Sequence, residues 1–174
     1  MKNGSVNSPI RQPIIKPMTP SDLDSVIRIE EQSFQHPWAR DQFMDELERG
    51  SVSRCHVALM VDSEDDTAQN ATSTNGPVVG FIMTWLVVDE LHITNIAVGF
   101  EARRGGVAAA LLEHSIGEAI ELGAQWCQLE VRISNRPARE LYGLFGFKTL
   151  GTRKRYYPDG EDAVVMGKDL TIRV

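Results

Sequence analysis

One stretch of the sequence constrains the fold more than any other: a strand, a glycine-rich turn, a helix and a second strand in succession. The first strand is expected over ELHITNIAV, the helix from about Gly106 to Leu122, and the second strand over QWCQLEVRI. A helix between two strands of one sheet forms a right-handed unit in which the strands run parallel. The sequence therefore predicts an α/β fold, a mixed sheet with helices on both faces.

The flanking segments extend this unit into a larger sheet. Thr19 and Pro20 mark the start of a helix, Pro37 separates it from a second helix, and Gly50 closes the second. The predicted order is β-α-α-β-β-β-α-β-α-β-β, in a single domain over residues 13–174 behind a flexible tail, residues 1–12. Further strands are expected over 13–18, 53–61, 77–88, 147–157 and 162–170, a helix over 134–146, and a solvated acidic loop over 62–75.

Charge and apolar patterning exclude several classes of protein. A net charge of -6 argues against a protein that coats nucleic acid through its bulk charge. No run approaches the roughly 18 apolar residues of a membrane span, and the N-terminus lacks the apolar core of a signal peptide. Cys55 and Cys127 lack metal-ligand spacing and are expected to be buried free thiols. We expect a cytoplasmic monomer without a metal site, a membrane partner or a nucleic-acid partner.

The turn RRGG, residues 103–106, suggests an anion site at the start of the long helix. A helix N-terminus presents unpaired N–H groups and about half a positive charge, to which anions bind. The glycines leave the backbone open to a phosphate, and the arginines add positive charge. The turn lacks the Lys-Ser/Thr pair of a Walker loop and the three-glycine dinucleotide fingerprint. From these residues alone, a plain tight turn and a phosphate-binding turn both stay open.

The stretch RRGGVA resembles the Q/R-x-x-G-x-G/A signature of the GNAT N-acetyltransferases, and the predicted strand order resembles theirs over residues 13–174. The resemblance implies that backbone amides of the signature hold the pyrophosphate of the co-substrate acetyl-CoA. It also implies that the strand NIAV pairs through its backbone with the pantetheine arm. The implied cofactor-binding residues are Ile96, Ala97, Val98, Arg103, Arg104, Gly105, Gly106, Val107, Ala108 and Ala109.

Five segments narrow the resemblance to the ribosomal-protein alanine N-acetyltransferases: HPW, NIAV, LEVRISN, ELYGLFGF and RKRYYPDGEDAVVM. The chain departs from that group in a longer N-terminal tail and a longer acidic loop, 62–75, and neither touches a motif position. The resemblance implies a protein N-terminus as partner. The implied reaction is direct transfer of acetyl from acetyl-CoA to the N-terminal alanine of small-subunit ribosomal protein eighteen.

Glu130 is the candidate general base for this reaction. An α-amino group has a pKa of about 7.7–8.0, so part of it is protonated near neutral pH and must lose a proton before it attacks. Glu130 lies between apolar neighbours on a strand, where lost hydration makes a carboxylate more basic. The residues alone also allow a structural ion pair with Arg132, and the resemblance favours the base. Glu90 and His92 on the preceding strand are rival bases.

Tyr142 is the candidate general acid. Its position in ELYGLFGF matches the family, and a phenol can donate a proton to the departing thiolate of CoA. We expect the helix of Tyr142 to face the same cleft as Glu130. Packing against Leu141 and Phe145 is the structural alternative. Asn135 can cap this helix, and by resemblance its amide also contacts the cofactor.

The substrate mouth is expected to be aromatic and acidic. Phe34 is interpreted as a core residue, whereas the residues expected to border the peptide groove are Trp38, Tyr156, Tyr157, Glu161 and Asp162. Such a mouth suits an N-terminus followed by a basic or aromatic residue. Two other hypotheses stay open: acetylation of other N-termini, lysines or small amines, and a non-catalytic acyl-CoA-binding module.

Overall fold

A seven-stranded mixed sheet forms the centre of the molecule, with the strand order β1-β2-β3-β4-β5-β7-β6. The structure is a computed structural model that describes residues 13–60 and 76–171. Among the strands of the described residues, only β4 and β5 are neighbours that run parallel, and the crossover between them is helix α3. The elements are β1 (Ile14–Pro17), α1 (Leu23–Ser33), α2 (Arg40–Glu48), β2 (Ser53–Leu59), β3 (Val78–Val87), β4 (Glu90–Val98), α3 (Val107–Glu121), β5 (Trp126–Arg132), α4 (Arg136–Leu144), β6 (Lys148–Arg153) and β7 (Ala163–Asp169).

The predicted order of helices and strands is confirmed. The largest difference in a boundary is at β6, which ends at Arg153 and not at Tyr157. Arg155 adopts a left-handed φ of 51°, and its N–H donates to the Asp162 side chain at 2.9 Å, which turns the chain out of the sheet. The predicted tail, residues 1–12, and the acidic loop, 62–75, lie outside the described residues.

Two hydrophobic cores cover the two faces of the sheet. Helices α1 and α2 pack on one face through residues such as Leu23, Val26 and Phe43. Helix α3 packs on the other face, and Tyr142 of α4 joins the same core. Cys55 and Cys127 are buried and unbonded, one in each core, as predicted. No helix among the described residues is both long and apolar enough to cross a membrane.

A β-bulge at Thr94 changes which residues of β4 face each core. Met83 lies opposite Asn95 and Thr84 opposite Ile93, so Thr94 is an extra residue in β4. Its hydroxyl donates to the Met83 carbonyl at 3.0 Å. Ile93 packs towards α3, whereas beyond the bulge Ala97 packs towards α1, because the alternation has shifted by one residue.

A buried carboxylate ties α1 to β4 and to the chain before α2. Glu30 is 1% exposed, and its two oxygens accept hydrogen bonds from the Trp38 N–H at 3.0 Å and from the Asn95 side-chain amide at 3.1 Å. Burial raises the pKa of Glu30 above its ordinary value, and the two hydrogen bonds oppose that shift. Glu30 therefore fixes where Trp38 sits relative to β4.

We expect Glu30→Gln to weaken the pH dependence of stability. A carboxyl whose folded-state pKa is raised contributes stability that is complete below the unfolded-state pKa and lost as the pH rises through the folded-state pKa. Glutamine still accepts the Trp38 N–H and carries no charge, so the variant should be more stable than the wild type near neutral pH by about 1 kcal/mol. Urea unfolding from about pH 4.5 to neutrality tests this. Glu31→Gln, at an exposed neighbour on α1, is the control and should leave the pH dependence unchanged.

Candidate active site

An opening lies between β4 and β5 at the end where both strands finish. Their parallel pairing runs from Glu90 opposite Trp126 to Ile93 opposite Leu129 and stops there. Strand β4 continues to Val98 and β5 to Arg132, so the two diverge beyond the bulge. The backbone of residues 94–98 pairs with β3 on one side only and leaves its other edge towards the opening. Ligands of α/β sheets bind at such carboxyl ends.

The start of α3 lies at the same end of the sheet. Gly106 is its N-cap, with a left-handed φ of 79°, and a Cβ built on it would meet no atom of the described residues within 4 Å. The Ala110 N–H donates to the Gly106 carbonyl at 2.9 Å, so the N–H groups of Val107, Ala108 and Ala109 have no partner within the helix. The first turn contains no acidic side chain. The arrangement is therefore an exposed, positively polarised backbone with room above it.

The two arginines of this turn differ in what they contact. The Arg103 side chain folds back, with Nε donating to the Val98 carbonyl at 3.1 Å and a terminal nitrogen donating to the Ser33 hydroxyl at 3.4 Å. Arg103 thus fixes the turn to the end of β4 and the end of α1. Arg104 is exposed and has a left-handed φ of 63°, an uncommon conformation for a residue with a Cβ. Of the two, Arg104 has the side chain available to an anion.

Glu130 lies beside the opening, on the face of β5 opposite Leu129 and Val131. Those neighbours pack in the core with α3, and side chains alternate along a strand, so Glu130 points to the other side of the sheet. Its side chain is 22% exposed and lies 3.1 Å from the guanidinium of Arg153 on β6. Arg132, the partner considered from sequence, pairs instead with Asp159.

Tyr142 lies on the other face of β5 from Glu130, within the core under α3. The two side chains therefore lie on opposite faces of β5, and Tyr157 is close enough to each of them to interact electrostatically with both. That both face one cleft stays a prediction. The Tyr142 ring packs against the Phe147 ring, with 5.9 Å between the ring centroids. Burial raises the pKa of the Tyr142 phenol far above its ordinary value. Its hydroxyl has no hydrogen-bond partner within residues 13–60 and 76–171. The buried phenol therefore stays protonated and can donate.

The rival bases lie at the closed end of the strand pair. Glu90 is opposite Trp126, and His92 is opposite Gln128, where β4 and β5 are still hydrogen-bonded. His92 Nε2 is 3.3 Å from the Glu90 carboxylate, and its Nδ1 is 3.0 Å from the Gln128 amide. Both side chains are thus engaged away from the opening.

Asn135 caps α4 at the end of the sheet that holds the opening. Its side-chain oxygen accepts the Ala138 N–H at 3.2 Å. The capping alternative is therefore present in the structure. The side-chain NH₂ of Asn135 makes no hydrogen bond within the described part of the chain, so it can still donate to a ligand.

The connection between β6 and β7 carries the aromatic and acidic residues of the predicted mouth, but its acids are already paired. Arg132 lies 4.0 Å over the Tyr157 ring and bridges Asp159 at 2.7 Å and Glu161 at 2.8 Å. Asp162 pairs with Lys154 at 2.7 Å. These carboxylates hold the connection in place and are not free charges for a cationic substrate, contrary to the acidic mouth expected from sequence.

Aromatic side chains occur in both segments that are expected to border the mouth. Tyr156 and Tyr157 contact each other edge to face at 5.2 Å, and Tyr156 is exposed. Burial raises the pKa of Tyr157 to about 12. Trp38 is half-buried and packs against Phe43, with 5.5 Å between the ring centroids. Phe34 packs against the core beneath α1 and α2, as predicted. If these segments border the mouth as predicted, Trp38 and the tyrosines make that border aromatic.

Three charged residues organise this site in ways that were not predicted from the sequence: Glu30, Arg132 as a brace, and Arg153. Glu30 follows Leu23 by seven residues and Val26 by four, so the helical stripe already indicated its burial. No comparable signal exists for Arg153, because its partner Glu130 lies two strands away in the sheet.

Comparisons with known proteins give consistent matches. The acetyltransferase (GNAT) family model matches residues 23–147. A Bacillus subtilis protein named as a candidate ribosomal protein bS18-alanine N-acetyltransferase is 35% identical over 153 residues, covering 87% of this chain and 92% of that protein. An N-alpha-acetyltransferase of Sulfurisphaera tokodaii is 31% identical over 163 residues, covering 86% and 89%. The crystal structure of the ribosomal-protein-S18-alanine N-acetyltransferase from Escherichia coli superposes with a TM-score of 0.76 at 31% identity, covering 93% of this chain and 96% of that chain.

Proposed function

This chain belongs to the acetyltransferase (GNAT) family, and from that premise we propose that it acetylates the N-terminal alanine of ribosomal protein bS18, with acetyl-CoA as donor. The observation that carries the proposal is the opening between β4 and β5, with Glu130 on one side, Tyr142 on the other and the start of α3 at its end. One candidate base and one candidate acid would then lie on either side of the bound thioester.

Acetyl-CoA binding rests on backbone groups. The pyrophosphate would accept hydrogen bonds from the free N–H groups at the start of α3, with Arg104 adding charge. The pantetheine arm would pair with the open edge of residues 96–98 as an added strand does. Arg103 would keep these two parts in register through its bond to the Val98 carbonyl.

Gly106→Val should raise the Kd for acetyl-CoA at least about tenfold, because a branched side chain disfavours the left-handed φ and occupies the space above the turn. Gly123→Val is the matched control: Gly123 also has a positive φ, 95°, with nothing within 4 Å of its Cβ, but lies beyond the other end of α3. Both variants should lose about 1–2 kcal/mol of stability. Calorimetric titration with acetyl-CoA distinguishes the two variants. Equal losses of affinity would contradict the assignment of the pyrophosphate site to the start of α3.

The proposed reaction passes through a direct ternary complex. The neutral α-amino nitrogen attacks the thioester carbonyl carbon, and its excess proton passes to Glu130. The C–S bond then breaks, and the CoA thiolate takes a proton from Tyr142. The placement of Glu130 and Tyr142 on opposite faces of β5 suits this order of steps. In the proposed reaction, the amine enters on the peptide side and the thiolate departs on the side of α4. No acyl-enzyme is required, since both cysteines are buried and burial raises the pKa of each thiol.

The peptide would enter over Trp38 and the tyrosines of the β6–β7 connection. The apolar border and the internally paired acids favour a short, uncharged first side chain such as alanine more than they select a basic second residue. A second candidate function is acetylation of a wider set of N-termini. It is favoured by the Sulfurisphaera tokodaii relative, whose name is N-alpha-acetyltransferase and specifies no particular N-terminal residue.

CoA release with a panel of acceptors tests the proposal. The panel contains a peptide that begins Ala-Arg, the same peptide blocked at its N-terminus, peptides with other first residues, a peptide with an internal lysine, and small amines. We expect turnover with the free alanine peptide and none with the blocked one. Equal turnover of several N-termini would support the second candidate. Turnover only with lysine or small amines would overturn the substrate, and acetyl-CoA binding without any turnover would indicate a binding module.

A further inference from the structure

Arg153 holds the candidate base in the structure. Its guanidinium is 3.1 Å from the Glu130 carboxylate. Arg153 lies opposite Ala163 on β7, and Glu130 lies opposite Val165 on the same strand, so the pair meets diagonally across β7 on one face of the sheet. Helices α1 and α2 cover the β2–β4 part of that face, which leaves the pair open to the mouth.

Charge balance around Glu130 explains why Arg153 is its partner. The groups that face this carboxylate or its neighbours are Arg132, Arg153, Tyr156, Tyr157, Asp159 and Glu161, with His36 near Asp159. Arg132 is committed to Asp159 and Glu161 at 2.7 and 2.8 Å. Arg153 is therefore the cation that balances Glu130.

The pair is built so that it can open. The Arg153 side chain is 53% exposed, against 22% for Glu130, and Arg153 lies 5.5 Å over the exposed Tyr156 ring. A guanidinium with an aromatic surface beside it can leave the carboxylate without losing all of its contacts.

We propose that Arg153 is a positioning residue that keeps the ammonium form of the substrate away from Glu130. This inference rests on the proposed function. The substrate amine has a pKa of about 7.7–8.0, so near neutral pH it arrives partly as a cation that competes with Arg153 for one carboxylate. With Arg153 in place, the cationic form binds weakly and the neutral, nucleophilic form is favoured. Without it, Glu130 pairs with the ammonium ion, which has no lone pair for attack until it has lost a proton.

The test is the pH dependence of kcat and of the peptide KM in Arg153→Gln. Below the amine pKa, KM should fall about two- to fivefold, the size expected for a partly exposed ion pair, and kcat should fall by a similar factor. Both should return towards wild-type values as the pH rises above the amine pKa. Arg153→Lys keeps the charge and should restore most of the wild-type profile. Arg28→Gln, an equal change in net charge on the exposed face of α1, should behave as wild type.

The outcomes separate this inference from the proposed function. A KM that rises in Arg153→Gln, or a loss of kcat that is equal at every pH, would show that Arg153 only braces the hairpin and would overturn the inference. Unchanged parameters would overturn it as well. Absence of turnover by the wild-type enzyme would instead contradict the proposed function. Calorimetric titration with acetyl-CoA should give the same Kd for all four proteins and reports that each variant is folded.

Discussion

Replacing Glu130 by Gln should lower kcat on a peptide with a free alanine N-terminus by about 10²- to 10⁴-fold, the range for loss of a general base. Glutamine has nearly the same shape as glutamate but accepts no proton from the attacking amine. Acetyl-CoA affinity should not change, because the proposed cofactor contacts come from α3 and β4 and not from this side chain. Steady-state CoA release measures the first quantity and calorimetric titration the second.

The control for this prediction is Glu90→Gln. Glu90 is the rival carboxylate, half exposed and bound to His92 at the closed end of the strand pair. We expect the replacement of Glu90 to change kcat less than about twofold, because substitutions of exposed side chains outside the core and the active site have small effects. A large loss in Glu90→Gln together with normal turnover in Glu130→Gln would move the base to the other strand.

Tyr142→Phe should lower kcat by about 10²-fold while leaving stability unchanged or slightly raised. The phenol is buried, and its pKa is raised by that burial, so it is a protonated donor beside the proposed position of the thiolate. Removing the hydroxyl removes that donor and no hydrogen bond within the described residues. Single-turnover acetyl transfer followed by rapid quench measures the chemical step directly.

Phe147→Leu separates the hydroxyl of Tyr142 from its packing. The Phe147 and Tyr142 rings pack together with 5.9 Å between their centroids. Leucine at position 147 therefore loosens the packing of the Tyr142 ring and keeps the Tyr142 hydroxyl. The expected cost is about 1–3 kcal/mol of stability with only a few-fold loss of kcat. Similar kcat values for Phe147→Leu and Tyr142→Phe would mean that ring placement, and not proton donation, accounts for the effect.

The order of elements could be predicted from the sequence because each carries its own periodic or capping signal. The bulge in β4 also left a trace: apolar residues fall at Leu91 and Ile93 and then at Ile96 and Val98, one residue out of alternation. A strict period of two would have continued to 95 and 97. The divergence of β4 from β5 follows that shift, so the opening was partly encoded in the pattern.

The electrostatics of the site could not be predicted in the same way. In the sequence, Glu161 and Asp162 indicated an acidic mouth because their counterions, Arg132 and Lys154, lie outside the turn that carries them. Arg132 precedes Glu161 by 29 residues, and Glu130 precedes Arg153 by 23, so both pairs exist only once β7 lies between β5 and β6. Sequence identifies the carboxylates, whereas sheet order decides which arginine neutralises each.

The most direct test of the central claim is to locate the acetyl group on unacetylated ribosomal protein bS18 after incubation with this enzyme and acetyl-CoA. Peptide fragmentation by mass spectrometry distinguishes the α-amino group of the N-terminal alanine from the lysine side chains. The proposed function predicts one acetyl group, on the alanine, with wild-type protein and almost none with Glu130→Gln in the same time. Acetylation confined to lysines, or equal acetylation by the Glu130→Gln variant, would contradict it.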